Sequence, residues 1–271
     1  MIAGVLPLWV PIGFAAVFGA LIGSFLNVVV WRVPQGLSVV SPGSACPRCE
    51  RPIAWYDNLP IVSWLLLRAR CRHCAEGISI RYPLVEAATA VLFAAVAAGA
   101  VFGDLPPAVA PALLIWAAGG LALALIDVDH HRLPNVITLP AYPITAVALL
   151  AASWLTGEWG RMLQAAIGLI ALGGMYLLLA LAYPAGMGLG DVKLSGSLGM
   201  LLAWLGWPQL IVGGFSAFVV GGVVGVVLML TGRAGRKSGV PFGPFMLLGA
   251  VIGIAAGPTL ADLYLRLTGL S

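Results

Sequence analysis

Gly188-Leu189-Gly190-Asp191 follows an apolar run over residues 162–183, and Leu125-Ile126-Asp127-Val128-Asp129 closes another over 108–126. A carboxylate at the mouth of a membrane helix is costly to hold, so its default explanation is function. Whether these runs are membrane spans therefore decides the fold and the chemistry together. The chain of 271 residues is 61% hydrophobic and 9% charged, which excludes a soluble domain and reads as a multispanning membrane protein. Eight candidate spans are expected, at 6–30, 83–102, 108–126, 136–156, 162–183, 192–206, 208–231 and 242–262. Each approaches the ~20 residues that cross a ~30 Å hydrocarbon core. The expected fold is an all-α polytopic membrane protein of about eight transmembrane helices, with a small zinc-stapled cytoplasmic insert between helices 1 and 2. The sixth span is short and Gly-rich and reads as tilted, kinked or partly re-entrant, ending near Gly206-Trp207-Pro208. The first stretch lacks a basic n-region and a small-residue cleavage site, so it is read as a spanning helix and not a signal peptide. Gly213, Gly214, Gly221, Gly222 and Gly225 point to close helix packing.

Net charge is +4, but the placement of the charges says more than their sum. With the N-terminus outside, the inner loops hold Arg32, Arg48, Arg51, Arg68, Arg70, Arg72, Arg81, Arg132, Lys193, Arg233, Arg236 and Lys237, and the outer side holds only Arg161 and Arg266. That asymmetry follows the positive-inside rule, so the basic balance reports topology and not nucleic-acid binding. It also places Asp127 and Asp191 on the same, cytoplasmic, face.

Residues 32–82 differ from the rest: they carry seven arginines and all four cysteines. A segment this small needs a staple to hold a fold. Cys46-Pro-Arg-Cys49 and Cys71-Arg-His-Cys74 supply one, as C-x2-C-x21-C-x2-C. Each pair presents two thiolates to one metal, and four thiolates close a tetrahedral zinc site with no open position, so the zinc is expected to be structural. Two disulfides are the competing reading, and a cytoplasmic, reducing location argues against them. His73 lies inside a knuckle and is read as a bystander. The division expected is a first helix at 1–31, the zinc-binding insert at 32–82 and a seven-helix domain at 83–271.

Peptide-bond hydrolysis needs a base to deprotonate water and an acid to protonate the leaving amine. Two close carboxyls cannot both ionise cheaply, so one keeps its proton and the pair holds both functions. Asp127 and Asp191 are the candidates. Gly188 and Gly190 are expected to loosen the backbone so that an extended substrate can approach. Lys193 has two readings, a positive-inside anchor or a group that tunes Asp191. Asp129 is either a helix-end cap or a reserve for the first catalytic role. Glu86 reads as a helix-start or packing residue, and His130 and His131 as interfacial loop residues.

These residues also resemble a known family, the type IV prepilin peptidases, nearly end to end. The matching stretches are Gly23-Ser24-Phe25-Leu26-Asn27-Val28-Val29, Arg32-Val33-Pro34, the cysteine loop, Tyr56-Asp57-Asn58-Leu59-Pro60, Ser63-Trp64-Leu65 and Arg81-Tyr82-Pro83-Leu84-Val85-Glu86. Asp127 with Leu133-Pro134-Asn135, Gly188-Leu189-Gly190-Asp191-Val192-Lys193 and Pro241-Phe242-Gly243-Pro244 complete the set. The resemblance implies an aspartic membrane protease of GxGD type in the bacterial inner membrane, with Asp127 and Asp191 as its dyad. It would cut prepilin or pseudopilin precursors after the glycine that ends a short basic leader. It would then methylate the new N-terminus with S-adenosylmethionine, at a site that no residue here identifies. The family usually has Gly where this chain has Ala69, ahead of Arg70-Cys71, which would strain the loop if that glycine supplies backbone freedom.

The expected partners are those precursors and the lipid bilayer, with no nucleic acid. Glu50, Asp57 and Glu76 are candidates for attracting the basic leader. Two alternatives stand beside this reading: a peptidase without methyltransferase activity, and a proton-coupled transporter with a zinc-ribbon loop. The second lacks paired broken helices or an inverted repeat.

Overall fold

The computed structural model describes residues 7–184, 186–232 and 240–269. Arg233, Arg236 and Lys237, counted above among the inner-face charges, lie outside the described residues. Nine α-helices are described: α1 (Trp9–Arg32), α2 (Val62–Leu66), α3 (Arg81–Phe102), α4 (Ala110–His130), α5 (Asn135–Thr156), α6 (Gly160–Ala182), α7 (Leu189–Leu205), α8 (Trp207–Leu230) and α9 (Gly243–Thr268). All but α2 and α7 are long and apolar enough to span a membrane, seven in all, and no strand is described. The chain divides into two compact units, Met1–Ala122 and Leu123–Ser271.

In the first unit α1 and α3 run antiparallel and very close. A Cβ on Gly19 would lie 2.7 Å from the Thr89 carbonyl oxygen, and one on Gly23 would lie 2.7 Å from the Glu86 Cα. Glycine permits this approach, and packing of this kind holds helices together where lipid removes the hydrophobic drive. The insert between these helices is tied to their ends. Arg32 donates to the Ser38 and Gly43 carbonyls, and Asn27 to the Tyr82 carbonyl. Glu86 is buried, as a packing residue should be, but it also does a specific job. Its Oε2 accepts the Ile61 N–H at 2.7 Å, just ahead of α2, and Ser24 of α1 bonds to the same carboxylate.

In the second unit α7 lies at the centre, among α5, α6, α8 and α9. Every residue from Leu194 to Trp204 is buried. A helix that is apolar all round belongs inside, away from lipid. This accounts for its shortness: 17 residues extend roughly 25 Å at 1.5 Å per residue, and a helix screened by neighbours need not match the bilayer. The sixth expected span is therefore an unbroken interior helix. Gly206 alone joins it to α8, at φ +154° and ψ 165°, a backbone region essentially reserved for glycine.

Glycines also set the pairings here. A Cβ on Gly199 would stand 2.3 Å from the Gly168 carbonyl of α6, and one on Gly249 of α9 would stand 2.5 Å from the Gly213 carbonyl of α8. Of the five α8 glycines expected to mediate packing, Gly213, Gly214 and Gly221 do, whereas Gly222 and Gly225 face open space. The α5–α7 pair is pinned at both ends, by Tyr142 Oη donating to the Lys193 carbonyl and by Trp204 Nε1 donating to Ser153 Oγ.

Candidate active site

Asp127 sits in the last turn of α4 and is buried at 5% exposure, whereas Asp129, two residues on, is exposed. A helix end with one carboxylate turned inward and one outward assigns the buried environment to Asp127. His130 and His131 are exposed with Asp129. The Asp127 Oδ2 accepts the N–H of Gly243 at 3.0 Å. Gly243 is the first residue of α9, followed by Pro244, which has no N–H to satisfy. The carboxylate thus closes the start of a helix that does not contain it, where free N–H groups favour an anion.

Asp191 occupies the corresponding place on its own helix. It lies in the first turn of α7, and its Oδ2 accepts the Gly188 N–H at 3.1 Å. Neither Gly188 nor Gly190 has left-handed backbone. Gly190 is glycine because Leu133 packs on it: a Cβ there would lie 3.1 Å from the Leu133 Cβ. Leu133 reaches the other carboxylate's neighbourhood too, since a Cβ on Gly243 would lie 3.2 Å from its Cδ2 and 2.8 Å from Asp127 Oδ2. One leucine therefore touches the backbone beside both aspartates.

Around this pair the fold recruits several residues whose roles the motifs alone do not show. Tyr176 of α6 is buried, and its ring packs on Phe218 and Phe242 at centroid distances of 5.4 and 6.2 Å. Phe242 sets the residue before Gly243. Asn135, at the start of α5, accepts a hydrogen bond from Lys193 Nζ at 2.9 Å. Lys193 thus anchors α7 to α5 near Asp191. Leu133, Asn135 and Gly243 stand in stretches already singled out as motifs, but only the tertiary contacts show what they do.

The second chemical cluster is in the insert. The sulphurs of Cys46, Cys49, Cys71 and Cys74 all lie within 4.8 Å of one another, and the thiols are free. Cys46 Sγ and Cys74 Sγ stand 3.7 Å apart, close to the ~3.8 Å edge of a tetrahedron whose metal–sulphur bonds are about 2.3 Å. The donor set fits a tetrahedral metal ion. The thiols divide charge unequally: Cys49 and Arg48 backbone N–H groups bring Cys46 down to about 6. The Glu76 N–H acts likewise on Cys74, but burial and the other three sulphurs push it up to about 12. Four sulphurs this close cannot all carry charge unless a cation joins them.

The two knuckles repeat one another, which the sequence did not reveal. In the first, Cys46 N–H donates to the Arg51 carbonyl and Glu50 N–H to the Cys46 carbonyl; in the second, Cys71 N–H donates to Glu76 and Ala75 N–H to Cys71. Glu50 and Ala75 share φ +56°. The side chains cross-pair between the repeats, Arg48 with Glu76 and Arg51 with His73 Nδ1. His73 is therefore a partner of Arg51, outside the sulphur cluster. Arg72 grips Asp57 with two nitrogens, at 2.8 and 2.5 Å, and holds that carboxyl below its ordinary range. Of the three acidic residues offered for leader binding, Asp57 and Glu76 already serve arginines of the insert.

Comparison with known proteins gives the chain its relatives. The model of the bacterial peptidase A24 N-terminal domain matches residues 17–100, and that of the type IV leader peptidase family matches residues 112–226. A prepilin leader peptidase/N-methyltransferase of Stutzerimonas stutzeri is 36% identical, with 93% of each chain covered. The protein of that name from Pseudomonas aeruginosa is 37% identical over 93% of this chain and 92% of its own. One from Myxococcus xanthus is 40% identical over 83% of this chain and 65% of its own. No solved structure matches the chain. With a four-sulphur insert in the first matched region and both helix-capping aspartates in the second, the chain belongs to the type IV leader peptidase family.

Proposed function

We propose that this protein removes the short basic leader of type IV prepilins or pseudopilins after a glycine, and then N-methylates the new N-terminal residue. The observation that carries the first step is the placement of Asp127 and Asp191 at the N-termini of α9 and α7, with Leu133 against the backbone beside both. One carboxylate, ionised, takes a proton from water as it attacks the scissile carbonyl. The other, protonated, gives its proton to the leaving amine. The helix N-termini favour the ionised form, while the neighbouring carboxyl favours the protonated one. Asp127 is preferred over Asp129 because it is the buried member.

The reading places both aspartates and the insert at the cytoplasmic face of the inner membrane, where a basic leader is retained by the positive-inside rule. The substrate's apolar helix then presents its scissile bond at the membrane edge. Residues 83–271 serve as the peptidase domain, and residues 32–82 as the domain associated with methyl transfer. Cys46, Cys49, Cys71 and Cys74 hold a structural zinc, which staples the insert when bound. The methyl donor is S-adenosylmethionine.

The test is cleavage of a prepilin precursor by wild type, Asp127→Asn and Asp191→Asn in membranes, with intact-mass analysis of the product. Each variant should lose roughly 10²–10⁴-fold in rate. Wild-type product should carry one added methyl mass. Normal processing by either variant would discard the dyad.

A further inference from the structure

The insert between α1 and α3 does not stand clear of the spanning helices. A cavity of about 300 Å³ has Leu21, Phe25, Val28 and Arg32 of α1 on one wall and residues of the segments 39–44 and 58–60 on the other. Leu21 to Arg32 is roughly 16 Å of helix at 1.5 Å per residue, so the insert lies alongside α1 and not only at its end. On the other side Ile61 gives its N–H to Glu86 Oε2, about one and a half turns inside α3. The start of α2 is thereby held at the depth of a residue that already belongs to a span.

One face of α2 is apolar and uncovered. Val62, Leu65 and Leu66, at i, i+3 and i+4, are exposed, and Leu59 joins them from the turn before. The opposite side is tied inward. Ser63 is buried, gives its Oγ–H to the Tyr56 carbonyl and accepts the Leu59 N–H, while Trp64 Nε1 donates to the Ile78 carbonyl. A surface helix in water turns its leucines in and its serine out, and this one does the reverse. Exposed apolar surface of this kind marks a place of contact.

The charges beside it indicate the partner. Arg68 and Arg70 follow α2, are exposed, and pair with no acidic group among the described residues, whereas Arg48 and Arg72 are taken by Glu76 and Asp57. Trp55 and Tyr56, edge to face at 5.7 Å, are exposed, as are Trp31 and Tyr82 at the ends of α1 and α3 that hold the insert. Tryptophan and tyrosine collect where protein meets the headgroups, and unpaired cations there attract anionic lipid.

We infer that Leu59, Val62, Leu65 and Leu66, with Arg68 and Arg70 beside them, form a membrane-docking surface for anionic phospholipid. The apolar side chains enter the bilayer that α1 and α3 cross, and the two arginines take lipid phosphates. The occupant follows from what α2 is attached to. Leu84 of α3 is exposed on a spanning helix just ahead of Glu86, and a helix lying in the interface buries its apolar face roughly 5–10 Å into the headgroup–acyl boundary. The insert is then held at three places, its two covalent ends and this face.

The experiment uses full-length protein in nanodiscs of phosphatidylcholine, with or without phosphatidylglycerol, in which either lipid carries a photoactivatable diazirine near the top of its acyl chain. Mass spectrometry maps the label. In wild type, residues 59–66 should be labelled to the same order as Leu84, and about fivefold more by phosphatidylglycerol than by phosphatidylcholine. That preference should fade near 1 M salt, where the screening length is ~3 Å. Leu65→Glu with Leu66→Glu should lower the label on α2 at least about tenfold. Arg68→Gln with Arg70→Gln should keep the label and abolish the preference for the anionic lipid. Equal resistance of the insert to limited proteolysis in detergent reports that the variants are folded. Label on Leu84 with none on residues 59–66 of wild type would overturn the docking. Label displaced by added prepilin precursor would make this a surface for the substrate's helix and overturn the choice of lipid. Equal labelling of wild type by both lipids would remove the two arginines from it.

Discussion

A methyl group on Gly243 would stand 2.8 Å from Asp127 Oδ2 and 3.2 Å from Leu133 Cδ2, so this glycine fixes how closely α9 approaches the first aspartate. Gly243→Ala should leave the protein inserted but displace Asp127. Cleavage should fall by about 10–10²-fold, the scale of loss when a reacting group moves by an ångström. A cleavage rate within a factor of about two of wild type would mean that the close approach is not part of the mechanism. Ala69 poses the opposite case. It has φ +59°, next to Arg68 at +52°, in a left-handed conformation that costs a residue with a Cβ roughly 1–2 kcal/mol. Its N–H bonds to Trp64 and its carbonyl accepts from Ile78, so the strand of chain leading to Cys71 cannot relax without losing both. Ala69→Gly should therefore stabilise the insert by about 1 kcal/mol, part of the gain being offset by a freer unfolded chain. Slower zinc release to a chelator would report it, and faster release would refute it. The departure from the family pattern was legible in the sequence; the dihedral that gives it a cost was not.

At the level of elements, the glycine contacts explain why apolar helices choose these partners in lipid. The α6–α7 crossing is the tightest, with Gly168 and Gly199 each facing the other's carbonyl. Gly199→Ala places a Cβ 2.3 Å from the Gly168 oxygen, and the helices must part. Overpacking of this kind costs about 1–3 kcal/mol. Thermal unfolding in detergent should show a lowered midpoint, and, because α7 carries Asp191, reduced cleavage with it. An unchanged midpoint would show that the crossing adjusts freely. In the insert, the repeated knuckle gives the fold its economy. Each half turns its chain the same way, and the charged side chains pair across the halves, so the sulphur cluster, the turns and the cross-pairs all fix one arrangement. The Arg72–Asp57 pair adds to it above the ordinary carboxylate range, since a carboxyl whose pKa is lowered by folding loses its contribution only as pH falls through that lowered value.

For the whole molecule, topology is the property that joins the two chemistries. Membrane-impermeant maleimide applied to intact cells should label a Glu158→Cys variant, on the loop before α6, and should not label Arg132→Cys, on the loop after α4. The reverse pattern would turn the protein over and remove the leader from the aspartates. The sequence by itself determined that the chain is an α-helical membrane protein, that its cysteines form one cluster, and that Asp127 and Asp191 are the costly carboxylates. These follow from composition, spacing and the expense of charge in hydrocarbon, all of which are local or additive. Hydropathy also made α7 a span like the others. Only the tertiary structure shows that it is an interior helix, because burial depends on neighbours from four other helices. The same holds for the Gly243 bond to Asp127, across 116 residues, and for Leu133 between the glycines beside the two aspartates. Contacts at such separations leave no periodic signal in the chain, since each is decided by how helices pack and not by what lies next to them in sequence.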